Sequence, residues 1–131
     1  MESDKHYIDP SIVVIEYNSI LGKDKNYVVP YEENFTRKKA HYSNLYYGSS
    51  LPALTKLANE KGYALTACNS AGNNAFFVKR NLLNEKVKEV NCRDAFKERK
   101  FRESRDKNNK LTFLNNKEQK ELISHLSLEE V

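Results

Sequence analysis

Glu16, Tyr17 and Asn18 form the most chemically suggestive trio in the chain, because they close the apolar run Ile12-Val13-Val14-Ile15. Open α/β sheets place their ligand crevice at the carboxyl ends of strands. A carboxylate there can take a proton from a hydroxyl. It can equally be held by a structural partner, since an unpaired charge in apolar surroundings is costly. Both roles stay open for Glu16. A second group, His41-Tyr42-Ser43-Asn44-Leu45-Tyr46-Tyr47-Gly48, gathers rings and amides just ahead of a helix start. Tyr46 and Tyr47 could stack on a sugar or base, or simply cover apolar surface. The backbone N–H groups after Ser49 could receive an anion. Asn69, Asn73 and Asn74 suit either a polar contact or a tight turn. Glu16 is therefore the candidate catalytic residue, with Asn18, Tyr46, Tyr47 and Asn69 as candidate substrate contacts.

Other chemistries find less support. The glycines at 22, 48, 62 and 72 are isolated, so no glycine-rich phosphate loop is present. His6, His41 and His125 lack the spacing of a metal motif, and no metal site is expected. Ser70 and Cys68 could be nucleophiles with His41 as base, but neither sits in a nucleophile elbow. Cys68 and Cys92 read as free, buried thiols.

The elements that must position these residues follow from the pattern. Residues 12–17 are rich in β-branched side chains and do not alternate, which predicts a strand covered on both faces. Residues 18–48 form a long segment with scattered aromatics, a length that marks either a functional loop or a poorly ordered one. Ser49-Ser50, Pro52, the apolar Leu51, Leu54, Leu57 and Ala58, and Gly62 spell out a capped helix. Residues 63–68 and 74–79 read as strands joined by a tight turn, an antiparallel pair. The remainder is polar: a short helix at 82–87, a mixed-charge stretch at 93–107, an apolar run at 111–114, and a last helix announced by Asn115 and Glu118.

The chain has 131 residues with 39% hydrophobic content, which allows one core at most. No apolar stretch approaches a membrane span, and Met1-Glu2-Ser3-Asp4-Lys5 does not open a signal peptide, so a cytoplasmic protein without a membrane partner is expected. The net charge is +4, and residues 93–107 interleave seven bases with four acids. Such mixed runs favour a solvated face over a nucleic-acid footprint.

The segments I-V-V-I-E-Y-N (12–18), V-P-Y (29–31), L-Y-Y-G-S-S-L-P-A-L (45–54), K-G-Y-A-L-T-A-C-N-S-A-G-N-N-A-F-F-V (61–78) and F-R-E-S-R-D (101–106) together resemble one family. They look like the C-terminal part of FkbM-like S-adenosylmethionine-dependent methyltransferases, in a bacterial branch associated with surface-polysaccharide genes. The resemblance implies an α/β fold, a partial Rossmann-like methyltransferase sheet in the order strand, long loop, helix, antiparallel strand pair, with a polar helical C-terminal tail. It implies that residues 12–17, 63–68 and 74–79 are the fifth, sixth and seventh strands of such a sheet, with the seventh inserted antiparallel between the other two. Residues 1–80 would be the C-terminal half of the domain and 81–131 an extension.

The resemblance also leaves a gap. Only eleven residues precede the strand resembling the fifth, so the glycine-rich cofactor loop and the acidic ribose contact have no counterpart here. No cofactor is expected for this chain alone, and S-adenosylmethionine is implied only for the intact family. The expectation is a fragment that is inactive alone or one part of a split methyltransferase acting on a sugar or small-molecule hydroxyl. Its partner would be an N-terminal methyltransferase half or a second copy. The alternatives are a stand-alone module for an anionic glycan or nucleic acid, and a self-associating remnant.

Overall fold

The structure, a computed structural model, describes residues 8–100 and 103–131. The expectations placed on Met1 to Lys5, on His6, and on Phe101 and Arg102 lie outside the described residues. The elements in chain order are β1 (Ile12–Glu16), a 3-10 turn (Ser19–Leu21), β2 (Tyr27–Val28), α1 (Arg37–Ala40), α2 (Leu51–Glu60), β3 (Tyr63–Cys68), β4 (Asn74–Lys79), a second 3-10 turn (Arg80–Leu82), α3 (Cys92–Ala95), α4 (Asn116–Ile123) and β5 (Glu129–Glu130). The architecture is mixed α/β.

The main sheet has the order β1-β4-β3, with β4 antiparallel to both neighbours. The strands β1 and β3 therefore run parallel with a reversed strand between them. A bulge between Leu65 and Ala67 breaks the β3–β4 register, and the N–H of Val90 donates to the carbonyl of Leu65 at 2.9 Å. On the core face, Val13 and Ile15 stand opposite Phe77 and Ala75. These join Tyr17, Leu65, Leu51 and Ala58, together with Val90, Cys92, Ala95 and Phe96, in one apolar cluster.

The expectation that β1 is covered on both faces is corrected. Ile12 is 60% exposed and Val14 53%. Because β1 lies at the sheet edge, these two alternate residues face outward, and the described residues lay no second layer over them. The β-branched run concealed this, since Ile and Val occupy both faces alike.

The helix after Ser50 forms as its sequence dictates. The Ser50 hydroxyl accepts from the N–H of Ala53, Pro52 sits in the first turn, and Gly62 follows the end at a φ of +85°. The capping box also forms: Asn115 accepts from the N–H of Glu118, whose carboxylate accepts from the N–H of Asn115. The helix expected at 82–87 is absent; only Arg80–Leu82 turn, in a 3-10 conformation. The segment's side chains are mostly exposed, so no apolar face rewards the ordering of a helix there.

The single core expected from the length is divided into two apolar clusters, and residues after 80 return to both. The first cluster takes Val90 to Phe96, and a second is built from Ile20, Leu21, Leu45 and Ile123, with Tyr27, Tyr46, Leu122, Leu126 and Leu128. The long segment 18–48 is thus pinned between the sheet and α4. A two-residue ladder between β2 and β5 closes the far side.

The one-sided packing of β1 is open to measurement. Phe77→Ala should cost about 3–5 kcal/mol in urea denaturation, the range for emptying a filled aromatic site. Val14→Thr should stay within about 0.5 kcal/mol, as an exposed position does. A large loss at Val14 would mean that its face is covered.

Candidate functional site

Glu16 lies where β1 ends, half-exposed, with one carboxylate oxygen held by two partners. The Arg37 guanidinium donates to its Oε1 at 3.0 Å, and the Tyr47 hydroxyl stands 3.5 Å from the same oxygen. The guanidinium carbon of Arg37 also sits 3.5 Å from the Tyr47 ring centre, a cation–π stack. Arg37 begins the single turn α1, whose cap is the Thr36 hydroxyl accepting from the N–H of Lys39. One basic side chain therefore ties the carboxylate to the ring.

These groups edge a cleft of about 270 Å³ lined by Glu16, Tyr17, Arg37, Tyr47, Gly72, Asn73, Arg99 and Glu103. It adjoins a second hollow of about 370 Å³, which shares Arg37, Arg99 and Glu103 and adds Thr36, Lys38 and Asn44. The Oδ1 of Asn44 is enclosed there without a hydrogen-bond donor among the described residues.

Arg99 reaches the cleft because the segment 96–100 straps across the end of β1. The Tyr17 hydroxyl donates to the Lys97 carbonyl at 2.7 Å and accepts from the Lys97 N–H at 3.3 Å. The N–H of Arg99 donates to the Ser19 hydroxyl at 2.9 Å, and the N–H of Lys100 to the Ala71 carbonyl at 2.9 Å. Gly72 makes this approach possible: a β-carbon there would stand 2.1 Å from the Glu98 carbonyl oxygen, and its φ of +76° itself favours glycine.

The other sequence candidates are placed differently. Asn18 is 1% exposed and lines neither hollow. Its Nδ2 donates to the carbonyls of Leu45 (2.9 Å) and Tyr47 (3.0 Å), and its Oδ1 accepts from the N–H of Ile20. Its amide therefore holds the 43–48 loop. Tyr46 packs in the second apolar cluster and donates to the Ser127 carbonyl. Asn69 closes the β3–β4 turn: its Oδ1 accepts from the N–H groups of Asn73 and Asn74, and its Nδ2 donates to Asn73 Oδ1. Only Glu16 and Tyr47 of the candidates meet in the cleft.

His41 faces neither Ser70 nor Cys68 in any hydrogen bond; its Nδ1 is 2.6 Å from the hydroxyl of Ser43, which is wholly buried. Cys68 and Cys92 are free and half-buried rather than buried. No three metal-capable side chains converge among the described residues. No helix among them is long and apolar enough to cross a membrane.

No family model, curated protein or solved structure matches the chain. The residues that sequence reading passed over are Arg37, Lys38, Arg99 and Glu103. Arg99 and Glu103 lie within a run of mixed charge that resembles a solvated face, and only the strap brings Arg99 against β1.

Two measurements follow. Asn18→Ala orphans two buried carbonyls and should cost about 2–3 kcal/mol in denaturant unfolding; a neutral result would remove its structural role. The second concerns pH. Burial, above all, raises the Tyr17 and Tyr47 hydroxyls and pushes the Cys68 thiol up to about 11. The folded chain then holds protons that the unfolded chain releases, so stability is intact below the ordinary thiol value of 9.0 and falls as pH rises from there. Burial lowers His41, with His125 adding to it, so the unfolded chain is protonated first and stability falls as pH drops through 6.5. Denaturation midpoints against pH should show a plateau between these limits. Undiminished stability up to pH 11 would contradict it.

Proposed function

We propose that these residues form the acceptor-binding part of a methyltransferase-like α/β domain, in which chain outside these 131 residues supplies the cofactor half. The observation that carries this reading is the strand order: β1 and β3 are parallel, β4 runs reversed between them, and a polar cleft opens at the carboxyl end of β1. That is the order the sequence resemblance implies for the last three strands of such a sheet, and the place where such sheets take ligands.

The cleft does not fit S-adenosylmethionine itself. Arg37, Lys38 and Arg99 outnumber the carboxylates of Glu16 and Glu103 along the paired hollows, and the net positive charge disfavours a sulfonium. Side chains, not successive glycine N–H groups, form its edge. The part of this chain is to bind and orient an acceptor. A sugar hydroxyl directed at Glu16 would donate to its carboxylate, which Arg37 and Tyr47 hold in place. Asn73 and Arg99 line the wall where further hydroxyls would lie.

A stand-alone binding module for an anionic glycan is the second reading, favoured by the same three cations. It requires affinity that falls steeply with salt. A nucleic-acid module has less support, because the basic stretch is partly neutralised: Arg93 pairs with Asp24, and Arg105 with Glu103.

The test begins with the coding sequence adjoining that of this chain. A frame bearing a glycine-rich loop and an acidic ribose contact, co-expressed with the 131 residues, should transfer radiolabelled methyl to a monosaccharide. Glu16→Gln should lower that transfer about 100-fold or more, the usual scale of a lost acid–base group, with cofactor binding unchanged. Full activity of the variant would remove Glu16 from the chemistry. Micromolar calorimetric binding of S-adenosylmethionine to these residues alone would overturn the half-domain reading.

A further inference from the structure

A hollow larger than the Glu16 cleft or its neighbour lies on the other side of the strap and has no lining residue in common with either. It measures about 550 Å³, within the range of small-molecule sites. Four lysines line it: Lys23 from the loop after the first 3-10 turn, Lys97 from the strap, and Lys117 and Lys120 from α4. They come from three separate stretches of sequence, so folding, and not a local basic run, gathers them.

None of the four makes an ion pair among the described residues. The hollow also holds two carboxylates, and both are engaged. Asp24 is bound by the Arg93 guanidinium, and Glu98 accepts from Asn116 Nδ2 at 2.9 Å. Lys117 and Lys120 stand three residues apart on one helical face, a spacing at which like charges repel. Four lysines around one hollow, against two carboxylates that are already engaged, leave it with an excess of positive charge that a multiply charged anion would balance.

The donor chemistry narrows the ligand. Among the described residues no arginine lines the hollow, so they offer no planar fork to grip a carboxylate in two places. Lysines are compact charges on flexible stems, suited to tetrahedral oxyanions approached from several sides. The volume exceeds the needs of a single orthophosphate. Asn116, whose Nδ2 donates to Glu98, also lines the hollow. Ile20 and Phe96 add apolar lining for a non-ionic portion.

We infer that this lysine-lined hollow binds a small molecule bearing two or more phosphoryl groups. The inference does not depend on the methyltransferase reading, since it uses different residues and a different readout.

Calorimetric titration of the 131-residue chain with pyrophosphate, at about 0.15 M salt so that diffuse attraction is screened, tests it directly. Saturable binding at one site is expected, at least about tenfold tighter than orthophosphate or inorganic sulfate, because a second phosphoryl group engages further ammonium groups. Lys97→Gln and Lys120→Gln should each weaken it about fivefold, the upper end for one exposed ion pair. Lys56→Gln, whose lysine lines a different hollow, should leave it unchanged. Matching thermal melts of the unliganded variants would show that each is folded. No saturation, equal affinity for orthophosphate, or equal weakening by Lys56→Gln would overturn the assignment, the last by showing general charge attraction. Tighter binding of single-stranded RNA than of pyrophosphate would overturn it in favour of a nucleic-acid surface.

Discussion

The paired hydrogen bonds between the Tyr17 hydroxyl and the backbone of Lys97 are the constraint on which both hollows depend. They join residues 80 positions apart in sequence and fix the strap to the end of β1. Ser19 and Ala71 secure the strap at two further points, and Gly72 lets the β3–β4 turn pass under it. The Tyr17 ring lies in the main core, so its polar end is aimed by packing rather than by local chain geometry. A buried phenol without that partner would leave an unsatisfied donor, a penalty of about 1–3 kcal/mol. The strap and the core therefore stabilise each other.

Successive strap residues divide their duties. Lys97 and Glu98 line the lysine hollow, whereas Arg99 lines the cleft beside Glu16. The segment is not a regular strand, and within three residues it furnishes two chemically distinct walls. On one side the cations are partly committed, as Arg37 is to Glu16 and to the Tyr47 ring. On the other side the four ammonium groups stand without ion pairs among the described residues. Anything that shifts the strap would alter both walls together.

Local chemistry made much of this fold legible. Ser50, Pro52 and Gly62 announced α2, Asn115 and Glu118 announced α4, and the asparagines between residues 68 and 75 announced a turn. Each is a signal contained within a few residues. The exposed face of β1 was not legible, because Ile and Val occupy inward and outward positions alike. Glu16 was legible as a carboxylate needing a partner, but Arg37 as that partner was not, since its single-turn helix has no apolar periodicity to announce it. Asn18 and Tyr46 drew notice by type and proved to be holding the loop and the second core. Arg99 and the four lysines of the larger hollow acquire meaning only through contacts far along the chain.

The two-residue ladder between β2 and β5 has a kinetic consequence. Asn26 Nδ2 donates to the Val131 carbonyl across 105 positions, and the Val131 N–H returns to the Asn26 carbonyl at 2.9 Å. Closing so long a loop costs entropy before those few bonds offset any of it. The β3–β4 hairpin, by contrast, closes over a handful of residues, β1 must then find β4, and the strap spans a longer interval still. This ladder of increasing sequence separation gives the molecule a high contact order and a slow search for its native topology. The β2–β5 seam, longest to close and held by the fewest bonds, is where amide hydrogens would exchange through the smallest opening of the structure, well before the sheet itself unfolds.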